Sequence, residues 1–448
     1  MPGTQRWTVR DVRRGNRAEV LRTLYFQGVA HRQELGSRTG LSAATVSNVT
    51  AALIADGVVI EVGQEESEGG RPRILLRVDP EYRYLIGVDI GEPQVQVELF
   101  DLAMQPLAKT TYPLPANGAT PEAVTRAVVD GVADVLARGE IAPERVLGVG
   151  VGVPGIVEYG VQEVVHARTL GWDRVPLRRM LADGLRDKAF DLPILTDNAA
   201  KTLGQAELRF GAGRGARDAV VLLLGSGVGG CVVMDGAPYQ GTSGSAGEWG
   251  HTTVAVGGRE CRCGARGCLE AYIGAEAILD RYRAADRAAS GAADSGANDR
   301  VAAELELRRR GGTPAALRAM LAAAADTDEN TDAYDGDTNA TTAAADKNIA
   351  HEVVDETLAY LGAGLGSLIN LVNPERIVVG GWAGLLIGRG RLDRIRAAAA
   401  ACALARPFGQ AEITLGELGS DAVAMGAATL VLERFLGFTH SADTGRNP

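Results

Sequence analysis

Apolar positions in the first 80 residues follow helical spacing and then turn β-prone. In NRAEVLRTLYFQG, Val20, Leu21, Leu24 and Tyr25 share one face. The short run RQELGSRTG closes at Gly40, and LSAATVSNVTAALIADG places Val46, Val49 and Leu53 at steps of three and four. Ser42 suits the N-cap of this second helix, and Gly57 its stop. The runs VVIEV and RILLRV then flank the polar tip GQEESEGGRP. Two short helices across a glycine turn, followed by a hairpin, predict a winged helix-turn-helix over residues 1–80.

From Tyr84 the pattern becomes α/β. YLIGVDIG is an apolar strand ending in Asp and Gly, with VQVELFDL behind it. DAVVLLLGSGVGGCVVMDG repeats the plan of strand, glycine-rich turn and strand. This echo predicts two related lobes, each opening on a hairpin whose turn brings backbone close to a ligand. Val354, Leu358, Leu361, Leu365, Leu368 and Val372 mark a long amphipathic helix stopped by Pro374. RIVVGG reads as a buried strand and DAVAMGAATLVLERFL as a last, Ala-rich helix. The stretch near 284–347 is rich in Ala, Asp and Thr. Its last segment, residues 322–347, with Asp326, Asp328, Glu329, Asp332, Asp335, Asp337 and Asp346, is expected to be a solvated insertion. The expected organisation is a head over 1–80, a first lobe over 81–205 joined by a C-terminal helix over 421–437, and a second lobe over 206–420.

Composition narrows the class. A chain of 448 residues can bury a substantial core in two or three domains. No apolar run approaches the roughly 18–20 residues that span a bilayer. No apolar segment follows the charged start, so a cytoplasmic protein without a membrane partner is expected. The net charge of −10 argues against a generic nucleic-acid binder, but the charge is uneven. Arg6, Arg10, Arg13, Arg14, Arg17, Arg22, Arg32 and Arg38 face only Asp11, Glu19, Glu34 and Asp56 in the first 60 residues. With Val46, Val49 and Leu53 inward, Ala43, Ala44, Ser47 and Asn48 are free to face DNA. Asn48 can pair with adenine, and an alanine methyl can meet that of thymine. The arm arginines, with Arg38, Arg71 and Arg73, suit phosphate or minor-groove contacts. The plainer alternative is a head that makes protein contacts.

Five cysteines in a long chain do not form a secreted disulfide framework. Three of them lie in CRCGARGC, at Cys261, Cys263 and Cys268, and His251 precedes them in GEWGH. Four such ligands suit tetrahedral zinc, and Gly257, Gly258, Gly264 and Gly267 permit the bends that bring them together. The alternatives are three reduced thiols, or a C-x-C redox pair, which would not call for the third Cys or the His. Cys231 and Cys402, in apolar or Ala-rich surroundings, are expected to be buried structural thiols.

Together GEWGH…CRCGARGCLE, GVGVGVPGIVE, TLGWDRVPL, LLLGSGVGGCVVMDG, GTSGSAGEWGH and NLVNPERIVVGG resemble the ROK family of sugar-responsive bacterial repressors and sugar kinases. The resemblance implies a two-lobed actin-like ATPase (hexokinase-type) domain with a sugar site between the lobes. It matches the family's catalytic or sugar-binding Asp to Asp197, and two sugar-site glutamates to Glu248 and Glu270. His251 would be shared between metal and sugar. Thr196 before Asp197, and Thr169 before Leu170-Gly171-Trp172, stand where the family often has Asn. These are the positions expected to set the sugar preference. The wing tip Gly69 to Pro72 is similar to that of the family's repressors.

Kinases of the family need two phosphate loops. The second is recognisable as Gly225-Ser226-Gly227-Val228-Gly229-Gly230, but the first reads Glu92-Pro93-Gln94 after Asp89-Ile90-Gly91. A carboxylate, a proline without N–H, and the lack of a nearby Thr or Lys all oppose phosphate binding. The expected protein is therefore not an enzyme and has no catalytic residues. It is a repressor of carbohydrate genes with structural zinc, an operator DNA partner, a sugar effector and a homodimeric or higher state. A sugar kinase with an appended head and a ligand-independent regulator are the alternatives.

Overall fold

A computed structural model of the chain describes residues 8–66, 72–92, 94–114, 119–160, 162–289, 312–324 and 338–438. The head comprises α1 (Val9–Gln27), β1 (Ala30–His31), α2 (Arg32–Thr39), α3 (Ala43–Ala55), β2 (Val59–Glu65) and β3 (Arg73–Val78). Thr8 and Asp11 cap α1 reciprocally. Gly40 ends α2 at φ +69°, and the Ser42 hydroxyl accepts from the Thr45 N–H to start α3. The three strands pair in the order β1-β3-β2, which makes β2 and β3 the predicted wing hairpin. Its tip, with Arg71 and Gly69, lies outside the described residues. Val46 and Leu53 are buried as expected, and so is Thr50, whose hydroxyl donates to the Val46 carbonyl and accepts from Arg32 Nε.

The first lobe is built on β4 (Tyr84–Ile90), β5 (Gln94–Asp101), β6 (Pro106–Pro113), β7 (Val146–Val153) and β11 (Ile194–Asn198), ordered β11-β7-β4-β5-β6. The helices α4 (Pro121–Gly139) and α5 (Leu177–Asp187) belong to this lobe. Between β7 and α5, the strands β8 (Ile156–Glu158), β9 (Val164–Ala167) and β10 (Trp172–Val175) form a small flap sheet. Helix α6 (Ala199–Phe210) continues from β11 into the space between the lobes.

The second lobe repeats the arrangement with β12 (Ala219–Leu224), β13 (Val228–Met234) and β14 (Ala237–Pro238). It continues through α7 (Glu270–Ile273), α8 (Ala275–Ala289), α9 (residues 312–323), α10 (Thr338–Val372), β15 (Arg376–Gly380), α11 (Trp382–Gly388), α12 (Leu392–Cys402), α13 (Ala405–Phe408) and β16 (Glu412–Leu415). Its sheet order is β14-β13-β12-β15-β16. The echo read in the sequence is an echo of topology. β4 pairs antiparallel with β5 and parallel with β7, as β12 does with β13 and β15. Central strands buried on both faces explain the unbroken apolar runs. Within the low-complexity stretch, α9 buries Leu317, Met320 and Leu321. That part is packed; it precedes the segment expected to be solvated, and residues 290–311 and 325–337 lie outside the described residues.

The last helix, α14 (Ala422–Phe435), returns to the first lobe and packs on β4, β7 and α6. The fit is backbone on backbone: a Cβ at Gly150 would sit 1.8 Å from the Ala427 carbonyl oxygen. The head shares this core. Leu24, Leu35 and Leu76 cluster with Leu85, Phe100, Val431 and Leu432, and the Tyr25 hydroxyl donates to the Leu102 carbonyl at 2.7 Å. No helix of the described residues is long and apolar enough to cross a membrane.

Candidate functional site

A cleft of about 630 Å³ lies between the lobes. Its floor is formed by the turns at the carboxyl ends of β4 and β12, which carry Gly91, Glu92, Gly225, Ser226 and Gly227. The start of α6 and the flap strand β9 line one end, and α9 and α11 the other.

One wall is the cysteine loop. Gly264 and Gly267 turn it at φ +90° and +82°. At Gly267 a Cβ would meet the Ala255 carbonyl oxygen at 1.8 Å. The loop is tied by the Cys261 N–H to the Ala265 carbonyl at 2.8 Å and the Val254 N–H to the Gly267 carbonyl at 2.8 Å. One donor atom each from His251, Cys261, Cys263 and Cys268 lies within 4.8 Å of all the others. Cys261 Sγ is 3.7 Å from His251 Nδ1, and the Cys263 and Cys268 sulfurs are 3.7 Å apart. Tetrahedral ligands at about 2.3 Å from a metal stand about 3.8 Å from one another. The four therefore form a preformed cage that can hold a metal ion. Burial pushes the Cys261 thiol up to about 12, and a cation is what would reverse that.

His251 faces both ways: Nδ1 is turned to Cys261, and Nε2 lies 3.9 Å from the Glu248 carboxylate. Burial raises the pKa of Glu248, against the pull of His251. Glu270 is buried at the start of α7. It accepts the Val228 N–H at 2.9 Å and lies 3.7 Å from Cys261 Sγ. Glu248, His251, Glu270 and Thr169 all line the cleft. The Thr169 hydroxyl is buried and has no hydrogen-bond partner among the described residues, so it is free for a ligand.

Thr196 and Asp197 do not line the cleft. Thr196 donates to Glu163, and its carbonyl accepts from Tyr159. Asp197 is buried, accepts the Asn198 N–H at 2.7 Å and faces Lys201, Tyr159 and Gln240. Burial raises its pKa, and Lys201 opposes the rise. The side chains that face the cleft at this strand end are Asn198, Ala199 and Ala200. Asn198 is positioned by capping α6, its Oδ1 accepting the Ala200 N–H at 2.8 Å, and by donating to the Gly155 carbonyl at 2.6 Å. That N-cap signal was present in the sequence. His166, also at the cleft, sits between Asp173 at 2.8 Å and Glu158 at 3.1 Å.

On the head, Ala43, Ala44, Ser47 and Asn48 are exposed together on one face of α3. Arg38 is exposed and pairs with Glu34 at 2.7 Å, and Arg73 lies at the exposed start of β3. Among the remaining cysteines Cys231 is buried, but Cys402 is exposed at the last turn of α12. Alanine neighbours are as compatible with a surface as with a core, which is why the expectation of burial failed there.

The ROK family model matches residues 85–434, from β4 to the end of α14. The chain belongs to the ROK family. The head precedes the matched region of this ROK protein. The chain is 27% identical to the xylose repressor of Caldicellulosiruptor bescii over 95% of its own length and 98% of the repressor's. It is also 30% identical to a glucokinase of Halalkalibacterium halodurans, over 79% of its own length and 96% of the kinase's. A solved ROK transcriptional regulator, a homolog of the E. coli MLC protein, superposes with a TM-score of 0.70 at 21% identity, covering 95% of this chain and 96% of that one. The expected architecture, a helix-turn-helix head on a two-lobed actin-like domain, is the one observed.

Proposed function

We propose that this ROK protein is a transcriptional regulator of carbohydrate genes, binding operator DNA through its head and a sugar in its cleft. The head carries the argument. The repressor relative spans 95% of the chain, whereas the glucokinase relative leaves about the length of the head unmatched. In this reading α3 enters the major groove with Ala43, Ala44, Ser47 and Asn48 toward the bases, while Arg38, Arg71 and Arg73 meet phosphates. Thr169, Glu248, His251 and Glu270 receive sugar hydroxyls, with Asn198 beside them. Asp197 and Thr196 support that shell from behind.

Three thiolates and an imidazole suit zinc, which would supply structure and no chemistry. The ion would fix the tautomer of His251 and the position of Glu270. A second reading, a sugar kinase, has the glucokinase relative in its favour. Against it stands Glu92, which puts a carboxylate on the turn where a kinase would hold phosphate. A homodimer with two heads suits a pseudo-palindromic site, which sugar-driven lobe movement would respace.

The test is selection of DNA from a random library by the purified chain, followed by titration of the selected site with D-xylose, D-glucose and N-acetylglucosamine. A selected inverted repeat whose affinity falls with a sugar supports the proposal. No sequence selection, or robust sugar-dependent ATP hydrolysis, sinks it.

A further inference from the structure

The two turns on the cleft floor are tied together by one side chain from the cysteine loop. Arg262 Nη1 lies 3.1 Å from the Glu92 carboxylate on the first-lobe turn. Arg262 Nη2 donates to the Ser226 carbonyl on the second-lobe turn at 2.6 Å. The Ser226 hydroxyl closes the ring by donating to the Glu92 carbonyl at 3.2 Å. The three residues are far apart in sequence and come from both lobes. Arg262 stands between Cys261 and Cys263, so its backbone is held by the loop that both thiols anchor. Only the side chains remain to be ordered, and each is restrained by a second contact between the two turns. The other Glu92 oxygen, Oε1, is buried without a partner among the described residues.

Glycine turns with converging backbone N–H groups are anion cradles, and a guanidinium beside them completes the receptor. Here the anion is the chain's own. We propose that Glu92 is a tethered counter-anion. Through Arg262 it latches the lobes together, and it occupies the guanidinium that a phosphate-bearing ligand would otherwise take. The tether keeps the carboxylate at the guanidinium at an effective concentration of about millimolar or more, so a phosphate compound has to displace an anion that is always present. The latch therefore makes the cleft blind to phosphate compounds, while its sugar end stays open. It also holds the lobes closed without nucleotide. The proposal stands apart from the sugar and operator assignments.

The test compares the wild type with Glu92→Gln, Arg262→Gln and the double variant, each checked for bound metal and melting temperature. Calorimetry with inorganic pyrophosphate should show no saturation of the wild type in the millimolar range. Glu92→Gln should bind at least tenfold more tightly, and the double variant should lose that binding. Small-angle scattering should show a larger radius of gyration for Arg262→Gln than for the wild type, as the lobes part. Equal pyrophosphate isotherms for wild type and Glu92→Gln overturn the proposal, and so does unchanged scattering of Arg262→Gln. If Glu92→Gln does not fold, the scattering of Arg262→Gln decides the matter alone.

Discussion

Asp89, next to the last residue of β4, lines the cleft, and its protonation should contribute to how stability varies with pH. Burial, aided by the Glu98 and Asp421 carboxylates, pushes its pKa from the ordinary 3.8 up to about 7; Lys109 holds it back only partly. Lys109 is engaged elsewhere, pairing with Glu98 at 3.2 Å and with Asp421. The folded chain therefore keeps a proton between 3.8 and about 7 that the unfolded chain releases. That contribution to stability is fully present below 3.8 and is lost as pH rises through about 7. At about 1.4 kcal/mol per pH unit the whole interval is worth about 4 kcal/mol. Water in the cleft screens part of the charge, so about 2–4 kcal/mol is expected. Asp89→Asn keeps the shape and cannot ionise. Urea unfolding at a series of pH values should show the two proteins alike near pH 4, with the variant more stable by about 2–4 kcal/mol at pH 8. Parallel curves across the range would refute the reasoning, because they would mean that the Asp89 carboxylate ionises as freely in the fold as in the unfolded chain.

Chelation or Cys263→Ser should release the metal proposed for the His251–Cys261–Cys263–Cys268 cage. With free metal at 100 times Kd, the loss is about 2.7 kcal/mol, read as a lower melting temperature. A thiol reagent should find Cys402 alone before chelation and the three cluster thiols as well afterwards. Asn48→Ala should weaken operator binding by about 1–3 kcal/mol and relax one base position, whereas Arg38→Ala should weaken all sequences alike and lower the salt slope by about one; binding titrations at several salt concentrations separate the two. Gly150→Ala forces a methyl group 1.8 Å from the Ala427 carbonyl oxygen. It should cost about 3 kcal/mol or more in chemical denaturation, since neither strand nor helix backbone has room to yield.

The local rules proved sufficient where one element decides its own geometry. Ser42 caps α3 and Gly40 closes α2 because capping and left-handed φ depend on a few neighbouring residues. The twin hairpins were legible because both central strands are apolar on two faces. The metal cage was legible because glycines and cysteines share one short loop. What could not be read was orientation set by tertiary packing. Asp197 and Asn198 are neighbours, and which of them faces the cleft depends on Lys201, Gln240 and the flap around them. The Glu92–Arg262 contact joins residues 170 apart, and no local pattern announces it. In α9 the signal was present and outweighed: Leu317, Met320 and Leu321 sit at steps of three and four, but alanine-rich surroundings suggested low complexity.

The head and the first lobe form one packed body, and this limits how a cleft ligand can act on DNA. The side chains of Val20, Leu24 and Leu76 share a core with Leu85 and Val431, so separating the head would expose apolar surface at about 25 cal/mol per Å². At the far end of α6, Arg209 pairs with Glu433 of α14 at 2.8 Å. Its guanidinium stacks over Phe26 of the head and over Phe438, which Arg22 covers as well. The same helix begins at Asn198, in the cleft. One helix of twelve residues thus has its first turn at the cleft and its last turn against the head. The lobes meet at two places: the packed core where Leu203 and Val423 lie against Val221 and Val378, and the cleft floor, where Glu92, Ser226 and Arg262 join the two turns. In the proposed regulator a ligand therefore works by choosing the angle between the lobes, and the head follows the first lobe.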